Sequence, residues 1–164
     1  MTSPTTARGQ WAADHPGLDT SPMELVSLLK RATGLLGKAV EPLYEGAPLT
    51  SPEVDMLIPL RYATEPVIAS GLADRMGLSR AGVSKTLGKL ERRGFVSRCP
   101  NPADRRAALV TITPAGAEAV DGFFPRQLAT ELELFAGLGD DREWVLKALA
   151  RLVAAMEESA VRRD

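Results

Sequence analysis

Apolar residues recur at helical spacing along most of the chain, and one stretch near the middle alternates instead. The first predicted helix starts at Ser21-Pro22-Met23-Glu24, where a capping serine, an early proline and a glutamate form a start signal. Leucine and alanine then recur every three or four residues to about Tyr44. Thr50-Ser51-Pro52-Glu53 repeats the signal and predicts a short second helix, with Pro59 in its last turn.

Two more helices are predicted in close succession. Thr64-Glu65-Pro66 predicts the start of the third helix, which ends at Gly77 because glycine readily adopts the left-handed conformation of a helix end. Ser79 can cap the fourth helix, whose narrow apolar stripe consists of Val83, Leu87 and Leu90. Only a tight link separates these two helices.

After Gly94 the spacing of apolar residues changes from the helical period to the alternation that is typical of strands. Residues 95–99 and 108–112 predict a hairpin, joined by a turn over residues 100–107. Thr113-Pro114 begins a long fifth helix, and a sixth follows Asp140-Asp141. Residues 1–20 mix proline, glycine, threonine and charge without a period, which predicts a flexible N-terminal tail or a loosely docked arm.

Composition narrows the possible functions. The chain has 164 residues, 45% of them apolar, which suits one compact unit with a full core. No apolar run approaches the ~18 residues that span a bilayer, so a cytoplasmic protein without a membrane partner is expected. One cysteine and one histidine predict no disulfide, metal or cofactor, and Cys99 is expected to act as a small hydrophobe. No nucleophile lies beside a base in a readable motif, which argues against an enzyme.

The formal net charge of −1 hides an uneven distribution. Residues 75–106 hold nine Lys and Arg against two acidic residues, so this segment carries +7 while the remainder carries −8. A concentrated basic segment on an acidic body indicates polyanion binding. The alternative is a solvated basic surface.

The polar face of the fourth predicted helix favours nucleic acid. Small residues allow close approach to a groove, while cations and a hydroxyl can reach phosphates and base edges. Glycine costs about 1 kcal/mol relative to alanine within a helix, so Gly82 and Gly88 should each have a packing or access reason. We expect base contacts from the start of the helix and phosphate contacts from Lys89 and Arg92. The whole predicted surface consists of Arg80, Ala81, Ser84, Lys85, Lys89 and Arg92.

The tip of the predicted hairpin is also charged. Asp104 could hold a neighbouring arginine extended by a charge-assisted hydrogen bond. An arginine on a narrow ribbon fits a DNA minor groove, which is about 6 Å wide. A solvated turn is the alternative. The tip reads Asn101-Pro102-Ala103-Asp104-Arg105-Arg106.

These motifs, in this order, resemble the multiple antibiotic resistance regulator (MarR) family of winged helix-turn-helix proteins. An Asp-x-Arg wing followed by Leu-Thr-x-x-Gly is the more discriminating part, and here isoleucine replaces the leucine in Ile112-Thr113-Pro114-Ala115-Gly116. The other matching stretches are Leu72-Ala73-Asp74-Arg75-Met76-Gly77-Leu78-Ser79, Val83-Ser84-Lys85, Leu90-Glu91-Arg92-Arg93-Gly94-Phe95-Val96 and the hairpin tip.

The resemblance implies a mainly α fold with a winged helix-turn-helix head and a two-stranded β wing. The head would occupy residues 64–113, and the helices of residues 21–63 and 114–164 would form a dimerisation part. Independently, the terminal helices carry more apolar surface than a small head can cover, which favours a partner subunit. An internal helical bundle is the alternative.

The resemblance further implies a homodimer that binds double-stranded DNA. Its two recognition helices would enter successive major grooves of a palindromic operator, with Asp104 and Arg106 as the wing pair and Arg105 on a phosphate. A repressor released by a small aromatic effector is also implied. The alternative is a winged-helix module for protein contacts without specific DNA binding. Residues that could line an effector pocket are Trp11, His15, Arg31, Tyr44, Arg61 and Tyr62.

Overall fold

A computed structural model describes residues 4–104 and 107–162. Within these ranges it contains seven α-helices, three strands and two 3-10 helices, Glu41–Tyr44 and Ala136–Asp141. The strands are β1 (Val67–Ile68), β2 (Val96–Pro100) and β3 (Ala108–Ile112), in the antiparallel order β1-β3-β2. The helices are α1 (Pro4–Asp14), α2 (Pro22–Val40), α3 (Ser51–Arg61), α4 (Ala69–Met76), α5 (Arg80–Arg92), α6 (Pro114–Phe135) and α7 (Arg142–Val161).

Local start signals set most of the helix boundaries, as the sequence predicts. Thr50 and Glu53 form a complete capping box at α3, which continues through Pro59 to Arg61. The Thr113 side chain accepts a hydrogen bond from the Gly116 N–H at 3.1 Å and caps α6. Helix α2 also begins where expected, but Ser21 makes no side-chain cap there; its N–H donates to Asp19 instead.

The predicted helix start at Thr64-Glu65-Pro66 is wrong. Val67 and Ile68 form β1, which pairs with Val110 and Leu109 of β3, and α4 begins only at Ala69. β-Branched side chains favour extended backbone, and the open edge of β3 supplies the hydrogen-bonding partners. The predicted two-stranded wing of β2 and β3 is present, and β1 adds a short third strand at the other edge of β3.

The N-terminal segment is more ordered than predicted. Residues 4–14 form α1, so a tail without regular structure is the wrong description of this part. Alanines within the segment favour helix, and proline is tolerated in a first helical turn. Arg8 also donates to Glu24 of α2 at 3.0 Å, which ties the two helices together.

The hydrophobic core lies around α3, α4, α5, the sheet and the first half of α6. Among the described residues, every buried apolar side chain except Val40 falls within residues 49–123. The core therefore extends beyond both ends of the head expected at residues 64–113, and from here on the head means residues 48–123. Gly116 allows this close packing, because a β-carbon there would lie 2.1 Å from the Phe95 carbonyl oxygen.

Two chemical features of the described residues bear on function. No helix among them is long and apolar enough to cross a membrane. Nor do these residues include a group of three or more His, Cys, Asp or Glu placed to hold a metal ion. Cys99 is exposed on β2, so it is not the packed small hydrophobe that the sequence predicts.

Candidate nucleic-acid interface

Helix α5 is held at its start by a tight turn from α4. Gly77 ends α4 in the left-handed conformation, at φ 62°, and the Leu78 N–H donates to the Ala73 carbonyl at 3.0 Å. Ser79 then caps α5 by accepting from the Gly82 N–H at 3.1 Å. Both predicted signals are confirmed, and together they make α4 and α5 a helix-turn-helix.

The two faces of α5 separate as the sequence predicts. Val83, Leu87 and Leu90 are buried against the core. The opposite face is exposed along the helix and includes every α5 residue predicted to contact DNA. These exposed residues are Arg80, Ala81, Ser84, Lys85, Lys89 and Arg92.

The two glycines of α5 have different explanations. A β-carbon at Gly82 would lie 3.1 Å from the Ser79 hydroxyl oxygen, so glycine leaves room for the helix cap. A β-carbon at Gly88 would meet only the end of Arg92, at an ordinary 3.7 Å. Packing explains Gly82, whereas access to the exposed face remains the prediction for Gly88.

The hairpin beside α5 closes through its own backbone. Asn101 N–H donates to the Ala107 carbonyl at 3.0 Å, and the Asn101 side chain accepts from Ala103 N–H. Asp104 is exposed at the tip. Arg105 and Arg106 lie outside the described residues, so the predicted wing pair of Asp104 and Arg106 stays a prediction.

A polar groove joins the start of α5 to the base of the wing. It encloses about 420 Å³ and brings together Arg80 and Ser84 of the predicted α5 surface with Asp104 of the predicted wing. Ser70 of α4 and Arg98 of β2 also line it. Neither residue was predicted from the sequence, although Arg98 falls in the basic segment. Lys85, Lys89 and Arg92 do not line the groove.

Two cations at this surface have only loose acidic partners. Arg80 lies 3.9 Å from Asp74, and both side chains are exposed. Arg98 lies 3.8 Å from Glu91. An exposed pair at such a distance contributes little, ~0–1 kcal/mol, so a phosphate can replace Asp74 beside Arg80 at small cost. Arg98 is half-buried, and its contact with Glu91 is also long.

Arg93 differs from the other described cations of the basic segment, because it pairs with a buried carboxylate. Glu53 of α3 is 3% exposed and lies 2.9 Å from Arg93. Burial raises the pKa of Glu53, but hydrogen bonds from the Thr50 backbone and from Arg93 outweigh it and hold the pKa below its usual value. The carboxylate stays ionised and bound to Arg93.

A separate cavity of 650 Å³ lies between α2, the following 3-10 helix and α3. Of the suggested pocket residues, only Tyr44 lines it; Trp11 and His15 stack on each other, and Arg61 pairs with Asp121. Tyr44 donates to Gln127 at 2.5 Å, and burial raises the pKa of its hydroxyl. The lining residues are Gly34, Gly37, Lys38, Val40, Glu41, Tyr44, Thr50 and Ser51.

A capped helix-turn-helix with an exposed basic face, flanked by a β-hairpin, defines a winged helix-turn-helix protein. Residues 48–107 match the model of the MarR family, and this range includes α3, α4, α5 and β2. The DNA-binding part of the chain is therefore similar to that of MarR-family winged helix-turn-helix transcriptional regulators.

Solved structures of similar proteins agree with this assignment. A MarR-family transcriptional regulator from Rhodococcus sp. RHA1 is 26% identical, with a TM-score of 0.70 over 80% of this chain and 92% of that one. The regulator MOSR from M. tuberculosis, solved in complex with DNA, is 25% identical, with a TM-score of 0.69 over 82% and 96% of the two chains. PcaV from Streptomyces coelicolor, solved with its natural ligand, is 25% identical, with a TM-score of 0.63 over 88% and 94%.

Proposed function

We propose that this regulator is a cytoplasmic homodimeric repressor that binds a palindromic operator and leaves it when a small aromatic molecule binds. The observation that carries the DNA-reading part is the exposed face of α5 beside the polar groove. Arg80, Ser84 and Lys85 lie near the start of α5, where a recognition helix meets base edges. Lys89 and Arg92 follow along the helix and suit phosphate contacts.

The terminal helices support the homodimer. None of the residues of α7, all of which are described, is buried, and α7 packs mainly on the 3-10 helix before it. An apolar cavity of 660 Å³ lies between α2 and α7, lined by Leu25, Leu28 and Leu149 among others. Apolar surface of this extent favours a second copy as its cover.

The effector part rests on the cavity between α2 and α3. It combines apolar wall, the Tyr44 ring and the cation of Lys38, which suits a small aromatic acid. Its position beside α3 places it between the proposed dimerisation helices and the head. We expect benzoate to bind by calorimetry and Lys38→Gln to weaken it, with neutral benzamide as the control; equal heats for both ligands would contradict this site.

The direct test uses a duplex selected by the full chain from a random pool, with a scrambled duplex of the same composition as the control. Fluorescence polarisation at two salt concentrations should show tighter binding to the selected duplex, and weaker binding at higher salt, because phosphate contacts release counterions. Equal affinity for both duplexes would instead favour the alternative, a winged-helix module for protein contacts.

The wing has its own variant in the same assay. Arg106→Ala should lower affinity at least tenfold while the dimer stays intact, because an arginine in a minor groove contacts a region of strong negative potential. Arg126→Ala removes an exposed arginine of α6 and should change nothing. Unchanged binding by Arg106→Ala would remove the wing from the mechanism.

A further inference from the structure

Arg93 connects three separate parts of the head. Its Nη1 donates to both carboxylate oxygens of Glu53 on α3, at 2.9 and 3.0 Å. Its Nη2 donates to the carbonyl oxygen of Pro48, before α3. The guanidinium also lies 4.6 Å from the centre of the Phe95 ring, next to β2. A cation used in this way has few donors left for a phosphate.

Glu53 is fixed from its other side as well. Its carboxylate accepts from the Thr50 N–H at 2.8 Å and from the Thr50 hydroxyl at 3.0 Å, within the capping box of α3. A buried carboxylate must be paired and hydrogen-bonded, so the bonds from Thr50 and Arg93 together hold the Glu53 carboxylate in place. Arg93 is therefore held by a group that belongs to the start of α3.

Arg93 lies at the C-terminal end of α5, where the chain turns towards β2. It is the C-cap of α5, and its backbone N–H bonds to the Lys89 carbonyl at 3.2 Å. The next residue, Gly94, has φ 73° and turns the chain towards β2. Ser79 secures one end of α5 and Arg93 the other. Because Nη1 donates to the Glu53 carboxylate and Nη2 to the Pro48 carbonyl, the planar guanidinium is fixed in angle as well as in distance.

We propose that Glu53 and Arg93 form a positioning pair, in which Arg93 contacts no DNA but holds α5 against α3 at the angle that DNA reading requires. The proposal rests on the proposed DNA-reading function and adds residues that determine its specificity. It reverses the expectation from composition, which counts Arg93 among the cations available to a polyanion.

A phosphate contact and a positioning contact differ measurably. A cation on a phosphate strengthens binding to any duplex and adds about 0.9 to the slope of log affinity against log salt. A positioning residue affects only the duplex whose bases must be read. Affinity for the selected and scrambled duplexes, measured over a salt series, therefore separates the two roles.

The test compares Arg93→Gln with Lys89→Gln, since both remove one positive charge from the same helix. For Arg93→Gln we expect about tenfold weaker binding to the selected duplex, with affinity for the scrambled duplex and the salt slope unchanged. For Lys89→Gln we expect weaker binding to both duplexes and a slope smaller by about one. Glu53→Gln should reproduce Arg93→Gln, and the double variant should lose no more than either single one.

Matched variants protect the test from a general loss of structure. If Arg93→Gln does not fold, Glu53→Gln takes its place in the test. This variant keeps a side-chain oxygen that can accept from Thr50, so the cap of α3 is retained. Asp121→Asn breaks the exposed pair with Arg61, between α3 and α6, and should change neither affinity. Circular dichroism at the assay temperature checks that each variant is folded.

Two results would contradict the positioning role of Glu53 and Arg93. If Arg93→Gln weakens both duplexes and lowers the salt slope as Lys89→Gln does, Arg93 is a phosphate contact. If Arg93→Gln and Glu53→Gln both bind like the unaltered protein, the pair positions nothing. Should the unaltered protein not prefer the selected duplex, the proposed function itself fails and the positioning role falls with it.

Discussion

The head and the terminal helices contain similar apolar stripes, but the stripes are buried within the chain in the head and exposed on the terminal helices. Leu87 of α5 is fully buried, whereas Leu146 and Leu149 of α7 are 59% and 45% exposed. The leucines of the head find partners within the chain because α3, the sheet and α6 surround them. The difference indicates that amphipathic spacing specifies a buried face without specifying whether the cover comes from the same chain.

Charge divides the molecule along a similar line. The segment of residues 75–106 carries +7, and the remainder carries −8. An acidic body repels DNA except where the head presents its basic face, which favours one orientation on the duplex. This division of charge agrees with the proposed function, in which the head reads DNA and the terminal helices form the dimer.

A charge in the apolar face of α7 should have the largest effect, because it tests whether that face is covered by a second copy of the chain. Leu149→Asp puts a carboxylate into the apolar cavity between α2 and α7, so we expect a monomer by sedimentation. Affinity for the selected duplex should fall at least about 100-fold, because two linked heads gain 10²–10⁴-fold in avidity. Lys147→Ser on the same helix is the control, since its side chain is exposed and ion-paired only to Glu143 within α7. A dimer with unchanged affinity would contradict the assembly role.

Two glycines of α6, one packed against Phe95 and one facing open space, test how closely the head is packed. Gly116→Ala should lower the free energy of unfolding by about 2 kcal/mol in urea titrations, because the new methyl group collides with the Phe95 carbonyl. Gly122→Ala meets nothing within 4 Å and should raise it by up to about 1 kcal/mol through helix propensity. Equal changes at the two positions would mean that the head is not closely packed there.

The smallest expected effect concerns acid stability. The pKa of Glu53 is held below its ordinary value of 4.5, so the stabilisation from this carboxylate is complete above that pH and is lost as the pH falls through the lowered value. Glu53→Gln should therefore cost about 1 kcal/mol at pH 7, and the difference from the unaltered protein should shrink below pH 4.5.

Asp121→Asn is the comparison for this titration. Arg61 also lowers the pKa of Asp121, but both side chains are exposed, so a smaller change in unfolding free energy is expected. A difference between Glu53→Gln and the unaltered protein that stays constant from pH 7 to pH 3 would show that ionisation of Glu53 contributes nothing to stability.

Features set by neighbouring residues could be predicted from the sequence. The caps at Thr50, Ser79 and Thr113, the stop at Gly77 and the buried stripe of α5 depend on side chains a few positions apart. The exposed residues of α5 follow from the same helical period. These predictions cover most of the fold and the main part of the candidate DNA surface.

Features that depend on distant partners could not be predicted. Strand β1 exists because β3, more than 40 residues later, offers an edge to Val67 and Ile68. The sequence predicts Glu53 only as part of a helix start signal. Its hydrogen bond with Arg93 could not be predicted, because the two residues are 40 positions apart. Ser70 gives no sequence signal, because its role depends on how α4 meets the base of the wing.

Hydroxyl-radical footprinting of the full chain on the selected duplex tests the division of tasks most directly. We expect two protected patches related by a dyad, with their centres about one helical turn, roughly 34 Å, apart, because the two heads of the proposed dimer would enter successive major grooves. A single protected patch without symmetry, or no protection at concentrations that saturate binding, would contradict it.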